Sequence, residues 1–272
     1  KFGEGMKLLF LAALAAVQPT HAALKGPAAK ALQKRRGLAV SVELAAMGDD
    51  TSLGLLSMQL RKNNVASIWT PSLEAVSLLF HEQSNARGDY PGPCPIIYNG
   101  DNAEAAITAG AAAVVLDASY DAGGLDTEVL WRVRGAADID AIVNAKGEES
   151  MFVMSMGCDS TSIRASLPEN AVAVASIPAM QEGNAEVEAG RSLVKDGWNS
   201  LLVSNACVGD DEDMPYTQWM VDALTSKASS EFKIDGHTGA VNGHFGTRRA
   251  TAAGEMEWAR MKTLAREQPV AV

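Results

Sequence analysis

Short, almost continuously apolar runs recur along the sequence from Gly37 onward. There are eight of them: residues 38–44, 65–70, 94–98, 112–118, 127–134, 151–156, 171–177 and 199–206. A strand that is buried on both faces reads as an unbroken apolar run, whereas a strand with one face in water alternates apolar and polar residues. The runs therefore predict strands of the first kind, in a parallel sheet whose faces are covered by helices.

Stretches with helical spacing stand between most of these runs. They cover residues 53–64, 73–83, 102–111, 137–147, 185–197 and 216–228. Alternation of strands and helices indicates parallel strands joined by crossover helices. Eight such units in about 190 residues predict a (β/α)8 barrel, or TIM barrel, of minimal size. The alternative is an open doubly wound sheet, which usually has a Gly-rich turn after its first strand, and "ELAAMGDD" is not such a turn.

The N-terminus differs from the rest of the chain. "KFGEGMKLLFLAALAAVQPTHA" has an apolar run from Leu8 to Val17, followed by a short polar region with small residues. This is the arrangement of a secretory signal peptide, and the run is too short to span a membrane. A short buried helix of the fold is the other interpretation.

The next stretch, "ALKGPAAKALQKRRG", is basic and contains no acid, as in a plastid or mitochondrial transit region. Together the two segments resemble a bipartite leader that directs proteins to plastids; without the second, the secretory route is expected. A basic amphipathic helix packed on the body fits this stretch as well. We therefore expect a leader or helical extension at 1–36, the barrel at 37–228, and a C-terminal extension at 229–272.

Charge supports a boundary near residue 37. The first 36 residues carry seven Lys and Arg against one acid, Glu4, whereas the whole chain has a net charge of −10. The body is therefore strongly acidic. It lacks the basic face that nucleic acid phosphates need, so no nucleic acid partner is expected. No run after the N-terminus reaches the length of a membrane span.

The sequence offers little support for a metal or a cofactor. Cys94, Cys158 and Cys207 are far apart, form no CxxC pair and lie in or beside apolar runs, where cysteine is usually a core residue. His237 and His244 lie in a Gly-rich stretch with no acid or thiol between them, which is a weak metal signal. A turn-rich excursion that docks on the barrel or on a partner fits this stretch better. We expect neither a metal site nor a cofactor.

The order of the segments resembles indole-3-glycerol-phosphate synthase, a (β/α)8 enzyme of tryptophan biosynthesis. The resemblance is carried by "LAVSVEL", "VASIWT", "CPIIYNGD", "AEAAITAGAAAVVLDAS", "LDTEVLWRVRGAADIDAIVNA", "AVAVASIP" and "NSLLVSNACV", in that order, over roughly residues 37–210. It implies the fold and, for the family, decarboxylation of an anilino sugar phosphate with closure of an indole ring. That reaction needs a general acid, a base and cations for the carboxylate.

The family's functional positions are mostly changed in this chain. Glu43 matches the strand-1 Glu, but the strand-1 Lys falls on Ala45. The strand-3 Lys falls on Asn99, and the strand-5 Glu falls on Arg132, which reverses the charge. The remaining positions fall on Ser155 or Met156 after strand 6, on Ser176, Ile177 and Pro178 in strand 7, and on Ser204 and Asn205 after strand 8. The resemblance thus implies a barrel that has kept its fold and lost this chemistry.

The phosphate site of the family is changed too. Pro178 has no backbone donor, and Ser204 stands in place of a glycine that lets the backbone approach a phosphate. The acidic run "GDDEDMP" follows strand 8, and each acid near a phosphate costs about 1–3 kcal/mol. This run fits a solvated loop that caps a helix, or a site for a cation or a basic partner. It does not favour an anionic ligand.

Three hypotheses follow. The first is an inactive synthase-like barrel that acts as a binding or scaffold protein, or as an auxiliary subunit of a plastid assembly with a protein partner and a small-molecule ligand. The second is an active synthase with a divergent site. The third is an enzyme of changed specificity built around Glu43 and Arg132, which would otherwise form a structural ion pair. The predicted ligand-binding residues are Glu43, Asn99, Arg132, Ser204 and Asn205, and no catalytic residue is predicted.

Overall fold

The computed structural model describes residues 26–33, 38–44, 50–86, 91–148, 150–169, 171–179, 185–204 and 215–225 of the chain. Eight parallel strands close into a barrel in chain order. The strands are β1 (Ala39–Glu43), β2 (Ile68–Thr70), β3 (Ile96–Tyr98), β4 (Ala113–Asp117), β5 (Glu128–Val133), β6 (Met151–Met154), β7 (Val172–Pro178) and β8 (Ser200–Ser204). The predicted (β/α)8 barrel is confirmed, and each strand overlaps one of the predicted runs.

Helices pack around the barrel and against one of its ends. They are α1 (Pro27–Leu32), α2 (Asp50–Lys62), α3 (Leu73–Asn85), α4 (Ala103–Ala109), α5 (Ala136–Lys146), α6 (Ser160–Ser166), α7 (Ala185–Lys195) and α8 (Pro215–Thr225). Residues 118–127 join β4 to β5 without a helix. None of these helices has the length and apolar content needed to cross a membrane.

Strand residues face two separate apolar clusters. One lies between the strands and the helices and contains residues such as Val40, Val42 and Phe152. The other fills the barrel interior with Ala28, Ala29, Leu32, Trp69, Ile97, Ala113, Val115, Leu130, Met151, Val153, Val172, Val174 and Leu202. Because both faces of each strand are buried, the strands have the unbroken apolar composition seen in the sequence.

The end of the barrel where the strands begin, which we call the foot, is closed by α1. Ala28, Ala29 and Leu32 are fully buried there, in the interior cluster. The Glu128 carboxylate at the start of β5 accepts hydrogen bonds from the backbone N–H groups of Ala28 (2.8 Å) and Ala29 (2.9 Å). A carboxylate in this position satisfies helix N–H groups that have no partner within the helix. The basic stretch thus contributes a packed helix to the fold, while the predicted domain bounds stay predictions.

The end where the strands finish, which we call the mouth, is where barrel enzymes place their ligand sites. Gly100 fixes the backbone there, directly after β3. A Cβ atom at this position would lie 2.5 Å from the Tyr98 hydroxyl and 2.7 Å from the Pro71 carbonyl oxygen. Only glycine fits, so the path of the chain that presents Asn99 is set by local packing.

Candidate functional site

The predicted binding residues that the structure describes all lie at the mouth. Glu43 ends β1, Asn99 directly follows β3, Arg132 is the second-last residue of β5, and Ser204 ends β8. Ser204 is buried and lies in register with Pro178 of β7. Four residues from distant parts of the sequence are therefore brought to one end of the barrel.

The strand register shows which of these side chains face the interior. Residues in register on parallel strands point to the same face. Glu43 is in register with Trp69, and Arg132 is in register with Val153; both partners belong to the interior cluster. Asn99 follows the interior residue Ile97 by two positions. Glu43, Asn99 and Arg132 thus continue the inward-facing rows of their strands into the mouth.

The side chains of Glu43 and Asn99 are joined by a hydrogen bond. The Asn99 Nδ2 donates a hydrogen bond of 2.5 Å to Glu43 Oε1. The Asn99 Oδ1 atom is buried and has no hydrogen-bond partner among the described residues. A carboxamide neither gives nor takes a proton near neutral pH, so the pair holds a single titratable group. The pair therefore presents hydrogen-bond acceptor oxygens, of which Asn99 Oδ1 has no donor among the described residues.

Arg132 pairs with Asp117, the last residue of β4. Its Nη1 lies 3.4 Å from Asp117 Oδ1, and its Nη2 lies 3.5 Å from the backbone oxygen of Asn99. Arg134 Nη2 lies 3.5 Å from the same Asp117 oxygen. The structural ion pair between Glu43 and Arg132 that the sequence suggested does not form. Arg132 contacts the Asp117 carboxylate of β4, and Glu43 accepts a hydrogen bond from Asn99.

These arginine contacts are long and partly solvent-exposed. The side chains of Arg132, Arg134 and Asp117 are 35%, 67% and 49% exposed. Ion pairs of this kind contribute little to stability, since water screens the charges. The Arg132 guanidinium therefore keeps N–H donors for another group at the mouth.

Two further mouth residues follow β6. Ser155 Oγ is buried without a hydrogen-bond partner in the described part of the chain, and Met156 is 49% exposed. The sequence did not decide which of the two stands at the family's asparagine position. Since Met154 belongs to the outer cluster, Ser155 is the residue that faces the interior.

Sequence reasoning missed Asp117 and Arg134. The available signal was an acid that ends the apolar run of β4 and a second arginine two residues after Arg132. Carboxyl-terminal ends of parallel strands meet at one edge, so charged residues at these places should have been considered together.

Other reactive groups lie away from this set of residues. Burial raises the pKa of the Cys94 thiol to about 11, and Cys94 lies before β3 at the foot. Within the described ranges, no group of three His, Cys, Asp or Glu side chains is arranged to hold a metal ion. Asn205, Cys207, the acidic run at 210–213, His237 and His244 lie outside the described residues.

Two cavities in the described structure are separate from the predicted site. One of 340 Å³ lies near the foot beside Phe80 and Cys94, and one of 350 Å³ lies beside Tyr120 and Asp121 on the β4–β5 connection. Neither is lined by Glu43, Asn99 or Arg132.

Comparison with known proteins defines the class of fold. No protein-family model matches the sequence, and no curated protein matches it. Among solved structures, orotidine 5'-phosphate decarboxylase from Pyrococcus horikoshii OT3 is 13% identical with a TM-score of 0.51, over 69% of this chain and 100% of that chain. A 3-hexulose-6-phosphate synthase is 15% identical with a TM-score of 0.50, over 69% of this chain and 100% of that chain. At such identity the likeness is one of fold.

Proposed function

We propose that this chain is a ligand-binding barrel, similar to indole-3-glycerol-phosphate synthase, that does not catalyse the ring closure of that enzyme. It acts as a binding or scaffold protein, or as an auxiliary subunit of a larger assembly. The observation that carries the proposal is the Asn99–Glu43 hydrogen bond at the mouth. It joins the one residue that matches the family pattern to an amide that stands where the family has a lysine.

These residues provide few of the proton donors and bases that the reaction of the family needs. Ring closure needs a proton donor near the sugar hydroxyl and a base for the ring proton. Asn99 cannot donate a proton as an acid does. Arg132 stands where the family has a glutamate, and a guanidinium stays protonated in proteins. The geometry supports binding better than proton transfer.

The residues at the β7–β8 side also favour a binding role other than phosphate capture. Pro178 offers no N–H donor at the end of β7, and Ser204 beside it carries a side chain where the family has glycine. The two structural neighbours are named for reactions of phosphorylated compounds. From them we carry over only that a barrel of this shape holds a small molecule at its mouth.

A partner and a compartment belong to the same proposal. The signal-like segment at the N-terminus supports delivery to a plastid or, as the alternative, the secretory route, while the basic stretch after it contains the packed helix α1. A protein that binds without turnover would act through a partner that senses the bound state. Light scattering of the purified chain, alone and mixed with candidate subunits, measures this assembly.

Turnover is the experiment that tests the proposed function. The full chain is mixed with the anilino deoxyribulose phosphate substrate, and indole product is followed by fluorescence, with an active synthase as the positive control. The full chain is used because a start at Gly37 would remove α1 from the foot. We expect no product above the protein-free reaction. Turnover of roughly 1 per second or more would establish an active synthase with a divergent site instead.

A further inference from the structure

We propose that the mouth binds a small zwitterion, a free α-amino acid, with the ammonium group on Glu43 and Asn99 and the carboxylate on Arg132. This inference rests on the proposed function, because it names the ligand class of the same site. It is drawn from the separation of acceptors and donors at the mouth.

The acceptor side is formed by Glu43 and Asn99. Glu43 Oε1 is bonded to Asn99, which fixes the orientation of both side chains. The buried Asn99 Oδ1 lacks a partner in the described structure, and a buried carbonyl oxygen without a hydrogen bond is unfavourable. An ammonium group carries three N–H donors and a positive charge. It matches an unpartnered amide oxygen that lies next to a carboxylate.

The donor side is formed by Arg132. Its contacts to Asp117 and to the Asn99 backbone oxygen, at 3.4 and 3.5 Å, are at the long limit of hydrogen bonding. Arg134 lies against the same Asp117 oxygen, so two guanidinium groups share one carboxylate. The Asp138 carboxylate accepts from the backbone N–H of Arg134, so the donor side depends on the long contacts of Arg132 and not on a net positive charge. A planar guanidinium binds a carboxylate through two parallel N–H donors.

Asn99 sets the spacing between the two sides. Its side chain contacts Glu43 and its own backbone oxygen contacts Arg132, so Asn99 lies between the two opposite charges. An α-amino acid carries its ammonium and carboxylate groups on one carbon, so it can reach both sides of Asn99 together. The scale of the site thus suits a free amino acid better than a molecule whose charges lie far apart.

The charge arrangement also disfavours ligands of a single sign. A simple anion that reaches Arg132 meets the Glu43 carboxylate nearby, and a simple cation that reaches Glu43 meets Arg132. Like charges at close range oppose such binding, and this discriminates between ligand classes. A zwitterion satisfies both sides together.

The test is a binding screen on the full chain with the protein amino acids, each tested singly by thermal shift and then by calorimetry. Propionate and ethylamine serve as the two halves of L-alanine, and ribose 5-phosphate probes phosphate binding. We expect at least one amino acid to bind saturably, with propionate and ethylamine at least about tenfold weaker than L-alanine or undetectable.

Variants connect the binding to the mouth. Arg132→Gln and Glu43→Gln are each expected to weaken binding of the selected amino acid about tenfold or more. Arg191→Gln, at an exposed position on α7, is the matched control and should leave binding unchanged. Near-ultraviolet circular dichroism confirms that each variant is folded. Equal binding by all three variants would overturn the assignment to the mouth.

The outcomes separate this inference from the proposed function. If ribose 5-phosphate binds and no amino acid does, the barrel is a binding protein, but the zwitterion class is wrong and so is a binding role other than phosphate capture. If no probe binds, both the zwitterion class and a small-molecule role for the mouth are overturned. If the anilino substrate is turned over, the inactive barrel is wrong, whatever the amino acids do.

Discussion

The two ends of the barrel differ in how their charged and polar groups are paired. At the foot, the Glu128 carboxylate accepts from two backbone N–H groups of α1, and the helix residues around it are buried. At the mouth, Asn99 Oδ1 has no partner in the described structure, and Arg132 makes only long contacts. Both ends contain carboxylates and backbone donors, so the kinds of polar group present do not distinguish the foot from the mouth.

The difference lies in how the charged groups are paired. Glu128 at the foot is paired on both oxygens, although Ser200 Oγ at the start of β8 is buried without a partner among the described residues, whereas Arg132 at the mouth makes only long contacts beside the unpartnered Asn99 Oδ1. Groups that are completely paired within the fold act on stability, whereas groups left incompletely paired at the carboxyl ends of strands are available to a ligand. The foot is therefore interpreted as structure and the mouth as a binding site. The following experiments test this difference, beginning with the largest expected effect.

Cysteine labelling compares a thiol at each end. Because burial raises the pKa of Cys94 to about 11, only about one thiol in a thousand is ionised at pH 8. We expect iodoacetamide to modify Cys94 about a hundredfold more slowly than an exposed cysteine, and more slowly than Cys158 at the mouth. The rate should rise about tenfold per pH unit below pH 11. Peptide mass spectrometry measures it, and equal rates at the two thiols would contradict the burial of Cys94.

Gly26→Ala tests the contact between α1 and β5. The added Cβ would lie 2.1 Å from Glu128 Cδ, so the carboxylate has to leave the helix N–H groups. We expect a loss of roughly 1–3 kcal/mol in the free energy of unfolding, measured with urea. Gly92→Ala is the control, because no atom lies within 4 Å of its Cβ position. Equal stability of the two variants would show that α1 does not need Glu128.

Glu128→Gln removes the charge and keeps one acceptor oxygen. The expected loss is about 1–2 kcal/mol, since a charge-assisted hydrogen bond to a helix N-terminus becomes a neutral one and the second N–H loses its acceptor. Glu148→Gln, on an exposed loop residue, should change stability by less. A Glu128 variant as stable as the native chain would remove the distinction between foot and mouth.

Arg132→Gln should have the smallest effect on stability. Its ion pair with Asp117 is long and exposed, so the free energy of unfolding should change by less than about 0.5 kcal/mol. Ligand binding, in contrast, should fall. A large loss of stability in this variant would mean that the arginine serves the fold, and the interpretation of the mouth would fail.

Much of the architecture was predictable from the sequence. The apolar runs of β1 to β8 fixed the number and type of strands because strands buried on both faces leave a strong signal. The predicted runs missed α6, Ser160–Ser166, which is only seven residues long and places mainly polar side chains on its surface. It is marked instead by Asp159, whose side chain accepts from the N–H groups of Thr161 and Ser162.

The site was predictable in its members but not in its pairing. The ends of the predicted strands indicated that Glu43, Asn99 and Arg132 lie at the mouth. Which of them bond depends on register and side-chain reach, which no single strand encodes. Arg132 contacts Asp117 and not Glu43. In the sequence, Asp117 was visible only as the polar residue that ends an apolar run. The role of α1 at the foot was hidden for a similar reason, because Glu128 is about a hundred residues away.

A single-turnover measurement tests the account most directly. With the full chain in excess over the anilino deoxyribulose phosphate, every substrate molecule can be bound, and product formation reports the chemical step alone. The account predicts that indole product appears no faster than in the protein-free reaction. Product formation that is faster with protein, and that is lost in Glu43→Gln, would show that the mouth performs acid–base chemistry and would contradict the account.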